Sequence, residues 1–276
     1  MSNDVMLRFG NGLDGYLTKE QIKNSSPLIF AEAPTNPDVS NKYLFVNTET
    51  IIDDLEKLGW LPVQAAQRKG RKKEGTIFSK HMVAFQNPEI KITSKDGDDA
   101  YPRILLTNSH DGMQAFKFSV GIFRLVCSNG LVIADEKFSD FKIKHKGYTF
   151  GELRNVVKQA VEDLPNRVQV MNDMKNRTLT EVEKRKLAID AMLIRAGVNN
   201  LRYDEETIDE ILEPKRKEDE GDDLWRVFNV IQEKITQGEF HAALQGAKVR
   251  KVRKIKSFEK DMKVNKELFK LATALV

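Results

Sequence analysis

Gln114-Ala-Phe-Lys-Phe-Ser-Val-Gly-Ile122 decides the fold class. Phe116, Phe118, Val120 and Ile122 recur at every second position, with Lys117 and Ser119 between them. Successive side chains of a strand point to opposite faces, so this period buries one face of a sheet. The flanking segments Trp60–Gln67, Thr76–Phe85, Ile90–Thr93, Arg103–Thr107, Leu131–Ala134 and Phe141–Lys144 also read as strands. Turn-type runs separate them: Arg68–Lys73, Lys95-Asp-Gly-Asp-Asp99 and Asn108-Ser-His-Asp-Gly112. Short connections join antiparallel neighbours, whereas parallel ones need long crossovers, so the sheet is expected to be mostly antiparallel.

On either side the period changes to that of a helix. Before the sheet, Ile51, Ile52, Leu55 and Leu58 predict a helix over about 48–58, stopped by Gly59. Thr18-Lys-Glu-Gln21 is a capping-box pattern for a short earlier helix. After the sheet, Thr149-Phe-Gly-Glu152 opens a helix with the stripe Leu153, Val156, Val157, Ala160 and Leu164, which Pro165 should kink or end. A helix from about Leu179, capped by the pattern Thr178 to Glu181, stops at Gly197. Residues 213–223 have no apolar side chain and read as an exposed acidic linker. A helix over about 224–237 turns Trp225, Phe228, Ile231 and Ile235 inward, and a last one turns Leu268, Leu271 and Leu275 inward. The expected fold is α+β: a mostly antiparallel sheet with packed helices and a helical C-terminal region. The expected divisions are an irregular lead-in (1–46), an α+β core (47–212), the linker (213–223) and a basic helical region (224–276).

The chain has 276 residues and a net charge of +4. The charge is unevenly spread: residues 1–60 carry −4, 61–150 carry +6, 151–223 carry −5 and 224–276 carry +7. Such blocks create local fields suited to a polyanion. No stretch is apolar enough to span a membrane, and Met1–Gly10 lacks a signal-peptide pattern. The single cysteine, Cys127, excludes an intramolecular disulfide, and a cytoplasmic, reducing compartment is expected.

Catalytic and cofactor patterns are weak. Gly10-Asn-Gly-Leu-Asp-Gly15 has dinucleotide-binding glycine spacing, but no parallel crossover follows it, and a turn is the better reading. Cys127 lacks a recognisable base partner among His81, His110, His145 and His241. Asp96, Asp98 and Asp99 lack the far carboxylate of a calcium loop. No enzyme activity, cofactor or metal is therefore expected.

The basic tract is the stronger signal. Lys248, Arg250, Lys251, Arg253, Lys254 and Lys256 are interleaved with Val249, Val252 and Ile255. As a strand, an extended arm or a helix, this spacing lets one side pack while several cations stay in solvent. Each cation that neutralises a phosphate releases counterions, which drives sequence-independent affinity. Arg68, Lys69, Arg71, Lys72 and Lys73 form a second cluster in a turn, and Lys137, Lys142, Lys144 and Lys146 a third on a candidate edge strand.

Arg124-Leu-Val-Cys-Ser-Asn-Gly-Leu-Val132 resembles a family of phage- and plasmid-borne proteins of unknown function, with its Arg-x-x-Cys-x-Asn core. Leu224-Trp-Arg-Val-Phe-Asn-Val-Ile-Gln-Glu233 with Gly238, the ending from Arg250 through Ser257 to Leu268, and Trp60-Leu-Pro-Val63 also fit, so the resemblance spans about 45–276. It adds Arg124 to the candidate contacts. The order of elements is also similar to the core of phage single-strand annealing recombinases, which form rings or filaments and hold single-stranded DNA in a basic groove. That likeness implies single-stranded DNA as partner and a homo-oligomer. The resulting expectation is a non-catalytic nucleic-acid-binding protein of a mobile element, with a protein-binding phage factor as the alternative.

Overall fold

The computed structural model describes residues 15–36, 38–39, 45–67, 80–92, 100–111, 116–124, 141–143, 149–197, 201–244 and 248–276. The fold is α+β, and the chain divides into two compact units, Met1–Leu164 and Pro165–Val276.

The first unit is built on an antiparallel sheet of β1 (Leu61–Gln67), β2 (His81–Gln86), β3 (Ala100–Asn108), β4 (Phe116–Arg124) and β5 (Phe141–Ile143), in that order. Pro62 lies in β1 at the sheet edge, where a missing backbone donor costs least. The register places Ala65, Val83, Phe85, Ile104, Leu106 and Phe118 on one face, all buried. Three helices supply the apolar partners of that face: α1 (Lys19–Ser25), α2 (Thr48–Lys57) and α3 (Phe150–Glu162). Ile22, Ile51, Ile52, Leu55, Leu153, Val157 and Trp60 join the same core. Burying side chains of this size contributes roughly 1.5–3 kcal/mol each.

The local chemistry of these helices follows the expected signals. Thr18 and Gln21 form a reciprocal capping box on α1. Thr149 Oγ1 accepts from the Glu152 amide to start α3. Gly59 follows α2 at φ +80°, a conformation that favours glycine. Ile90–Thr93 does not form a strand of its own among the described residues; Ile92 makes a single bridge to Ala100. Leu131–Ala134, Cys127 and the turns 68–73, 95–99 and 112–113 lie outside the described residues.

Pro165 marks the division, though not as the start of a loop. Helix α3 ends at Glu162, and α4 (Leu164–Asn176) begins at once with Pro165 in its first turn. Proline there lacks only an N–H that would have no helical partner anyway. The second unit continues with α5 (Glu181–Ala196), β6 (Leu201–Arg202), α6 (Glu205–Leu212), α7 (Leu224–Gln237), β7 (His241–Leu244), β8 (Arg250–Lys251) and α8 (Phe258–Thr273). Helix α5 is capped by Thr180 with Glu183, two residues later than the Thr178 pattern suggests.

Helix α7 is the centre of this unit. Trp225, Phe228, Ile231 and Ile235 are buried as expected, but Asn229, Gln232, Glu233 and Thr236 on its polar side are buried too. Gln232 donates to Asn265 Oδ1 (2.7 Å), Asn229 Nδ2 to the Trp225 carbonyl (2.7 Å) and Thr236 Oγ1 to the Gln232 carbonyl (2.9 Å), whereas Asn229 Oδ1 is buried without a partner among the described residues. The inward stripe of α8 is Val264, Asn265, Leu268, Phe269 and Ala272: Leu268 is buried as expected, while Leu271 and Leu275 are only partly buried. Phe269 stacks edge-on against Phe228 at 6.0 Å between ring centroids.

The stretch 213–223 is fastened onto α7. Arg216 forms a bidentate pair with Glu233, at 2.7 and 2.9 Å, and also reaches Asp219, which is buried. Lys215 pairs with both Glu233 and Glu239. Beyond the turn of 3-10 helix at Lys217–Asp219, the Leu179 amide donates to the Asp222 carbonyl, and the Leu224 amide to the Arg177 carbonyl. A segment without apolar side chains is thus held by ion pairs and backbone bonds.

Candidate nucleic-acid interface

The basic tract is an extended arm. Residues Arg250–Lys251 form β8, antiparallel to β7 with His241 opposite Lys251 and Ala242 opposite Arg250; β7 in turn pairs with β6. Beyond β8 the Val252 amide donates to the Phe240 carbonyl, and the Ile255 amide to the Thr236 carbonyl, both at 2.9 Å. Arg195, from α5, donates through Nη2 to the Arg253 carbonyl (2.7 Å) and through Nε to the Ile235 carbonyl (3.2 Å). Ile255 is the arm's apolar anchor, 3% exposed.

Gly238 explains how the arm comes so close to α7. It ends α7 in the left-handed region, at φ +72°. A Cβ there would sit 2.5 Å from both the Arg253 carbonyl carbon and the Val252 oxygen. Only glycine satisfies both the helix end and the passing backbone.

Lys248, Arg250, Lys251, Arg253, Lys254 and Lys256 are all exposed. Among the described residues, Lys248, Arg250, Lys251, Arg253 and Lys256 form no ion pair with a carboxylate. Other cations of the unit do: Lys184 with Glu181 and Asp222, Arg185 with Glu205 and Asp209, Lys186 with Asp190, and Arg226 with Asp223. Two further cations stand at the arm's base. Burial, and then the nearby Arg195 guanidinium, hold the Lys260 ammonium below its ordinary value. Burial likewise lowers Arg195, with Asp261 opposing. An anion brought to this place would be met by charges already pressed together.

Arg195 and Lys260 were not among the residues expected from the sequence, and Gly238 entered only through the family resemblance, with no place at the arm. Gly238 carries a signal, as a glycine directly after a helical stripe. Arg195 carries none, because it lies 58 residues from its partner Arg253.

The other expected contacts are not gathered at the arm by anything observed. Arg68, Lys69, Arg71, Lys72 and Lys144 lie outside the described residues. Arg124 ends β4 and Lys142 lies in β5, opposite Lys117; both belong to the first unit, and only their backbone is described. Among the described residues no three His, Cys, Asp or Glu side chains are grouped to hold a metal ion, and no helix is long and apolar enough to cross a membrane.

One more polar constellation lies buried in the first unit. Thr48 Oγ1 accepts from Asn108 Nδ2 (3.0 Å) and lies 2.9 Å from His81 Nε2 and 3.3 Å from His110 Nε2. A hydroxyl has one proton and two lone pairs. With Asn108 on one lone pair, one imidazole accepts the hydroxyl proton and the other donates to the remaining pair. With both rings neutral, this arrangement gives the two histidines opposite tautomers. All four side chains are buried, so this is a core hub tying the start of α2 to β2 and to the end of β3.

Comparison with known proteins assigns the chain to a family. Residues 38–269 match the domain family described as "Domain of unknown function (DUF932)". The UPF0380 protein YafZ of Escherichia coli (strain K12) is 31% identical over 266 residues, covering 95% of this chain and 93% of the relative. The UPF0380 protein YfjQ of the same strain is 30% identical over the same length and shares. No solved structure matches. With most of its length matched in this way, the chain belongs to the DUF932 family.

Proposed function

We propose that this protein is a non-catalytic nucleic-acid-binding protein of a phage or plasmid, and that its arm contacts the phosphates of single-stranded DNA. The observation that carries the reading is that the exposed arm cations Lys248, Arg250, Lys251, Arg253 and Lys256 have no carboxylate partner among the described residues, in a unit where Lys184, Arg185, Lys186 and Arg226 are paired. The arm is extended, which suits a backbone running alongside it, and phosphate contacts of this kind are independent of sequence. Annealing of complementary strands, and the homo-oligomer that it would use, extend the same reading.

Binding of a labelled oligonucleotide by the full chain, followed by fluorescence anisotropy as salt rises, is the test. Five phosphate contacts give a slope of log K against log salt of about −3.5, since each contact on a single strand contributes about −0.7. Reversing Arg250, Lys251 and Arg253 to glutamate abolishes binding at all salts. A wild-type chain that binds no oligonucleotide at low salt sinks the reading and leaves an acidic protein surface as the partner to seek.

A further inference from the structure

Beside the arm stands an imidazole that the function above leaves unused. His241 begins β7, and its register partner is Lys251. The His241 amide donates to Glu210 Oε2 (2.8 Å), while the neighbouring cross-strand bond runs from the Val252 amide to the Phe240 carbonyl. His241 and Lys251 are therefore a non-hydrogen-bonded pair, with Cα atoms about 4.5 Å apart and side chains on the same face of the sheet. The His241 side chain is 50% exposed.

Helix α6 fixes the ring. Glu210 Oε1 lies 2.8 Å from His241 Nδ1, and Thr207 Oγ1 donates to the His241 carbonyl at 2.9 Å. An ionised carboxylate only accepts, so Nδ1 carries a proton in both the neutral and the charged ring. The proton that comes and goes is the one on Nε2, which has no partner among the described residues. Nε2 is thus the ring nitrogen left to meet a ligand.

We propose that His241 is a further phosphate contact of the interface and that it makes nucleic-acid binding proton-linked. The proposal rests on the nucleic-acid reading of the arm. In the neutral ring Nε2 offers a lone pair and repels a phosphate oxygen; once protonated it donates to that oxygen, next to the Lys251 ammonium. Among the described residues, Glu210 on α6 bonds the ring and Lys251 on β8 stands opposite it in the register. A phosphate brought between His241 and Lys251 adds a second anion, so binding draws a proton onto the ring.

The test is the affinity of the full chain for a labelled oligothymidylate at fixed ionic strength from pH 5.5 to 8.5. Imidazole is the side chain that changes charge in this range. Wild-type affinity rises on acidification, by up to about tenfold per pH unit where the ring titrates. His241→Gln keeps a neutral donor at the position and flattens the profile. Glu210→Gln lets either ring nitrogen carry the proton and weakens the pH dependence while Lys251 stays in place. A wild type that binds with the same affinity at pH 6 and pH 8, or a His241→Gln variant that keeps the wild-type slope, overturns the proposal and leaves the nucleic-acid reading standing. A wild type that binds at neither pH overturns both.

Discussion

Replacing Thr48 by valine tests the hub of the first unit. The two side chains have nearly the same shape, so the change removes a hydroxyl and little else. Asn108 Nδ2 and the Nε2 atoms of His81 and His110 would then face a methyl group in a site without exposed surface. Leaving a buried polar group without its partner costs about 1–3 kcal/mol. The contacts at 2.9 and 3.0 Å count fully and the one at 3.3 Å less, so the expected loss is about 2–5 kcal/mol. The helix start itself is not disturbed, because the cap of α2 is Asn47, whose Oδ1 accepts from the Glu49 amide at 2.8 Å.

The measurement must see the first unit alone, since a chain of two units need not unfold in one step. Native-state hydrogen exchange read by mass spectrometry at increasing urea reports α2 and β2 separately from the second unit. Thr48→Ser is the control, because it keeps the hydroxyl and loses one methyl, worth about 1 kcal/mol. The reasoning fails if Thr48→Val protects α2 and β2 as well as Thr48→Ser does. It also fails if nitrogen NMR finds His81 and His110 in the same tautomer.

Two other outcomes follow from the second unit. Gly238→Ala places a Cβ against the arm backbone in a left-handed conformation, so the Val252 and Ile255 amides should lose exchange protection and the unit about 1–2 kcal/mol from the backbone conformation alone; unchanged protection would contradict the close approach. Burial by itself would raise the Glu233 carboxyl, but hydrogen bonds and charge from Arg216, with help from Lys215, outweigh it and hold Glu233 below the usual carboxylate range. A carboxyl depressed on folding contributes stability above its unfolded value that is lost as pH falls through its folded value. The second unit should therefore weaken as pH drops below about 4, and Glu233→Gln, already lacking that contribution at neutral pH, should show a flatter acid limb in chemical denaturation.

The parts of the fold that show in the sequence are those whose burial is apolar and periodic. Alternation through Phe118, Val120 and Ile122 and the stripe of Leu153, Val157 and Ala160 each mark one buried face, and each element forms there. Helix α4 has no such stripe: it buries Met171 and Met174 together with Arg167, among asparagines and aspartate. Helix α6 has only eight residues and opens on two glutamates, too few turns for a pattern to stand out. The 213–223 stretch conceals its attachment, because composition cannot reveal a partner such as Glu233 on another element. At the candidate interface the cations of the arm were legible as a run of charge. Their anchoring through Gly238 and Arg195 was not, because it depends on one chain segment passing over another.

The manner of that anchoring bears on what the arm does. A charged segment can be fastened by its side chains, as Arg216 and Lys215 are to Glu233, and its charges are then consumed in holding it. The arm is held by its backbone instead: amides of Val252 and Ile255 donate to α7 and its following residues, and Arg195 reaches the Arg253 carbonyl. Ile255 supplies the apolar contact, while Val249 stays 50% exposed. Attachment by main chain and one buried isoleucine leaves Lys248, Arg250, Lys251, Arg253 and Lys256 in a fixed row without using their charges. Mutual repulsion along such a row is a standing cost that screening by salt reduces and a bound polyanion removes. If the row served only to keep the chain in solution, rigid fastening would add nothing, because a loose tail solvates as well. A row held in register to the fold is what a ligand with evenly spaced negative charges requires.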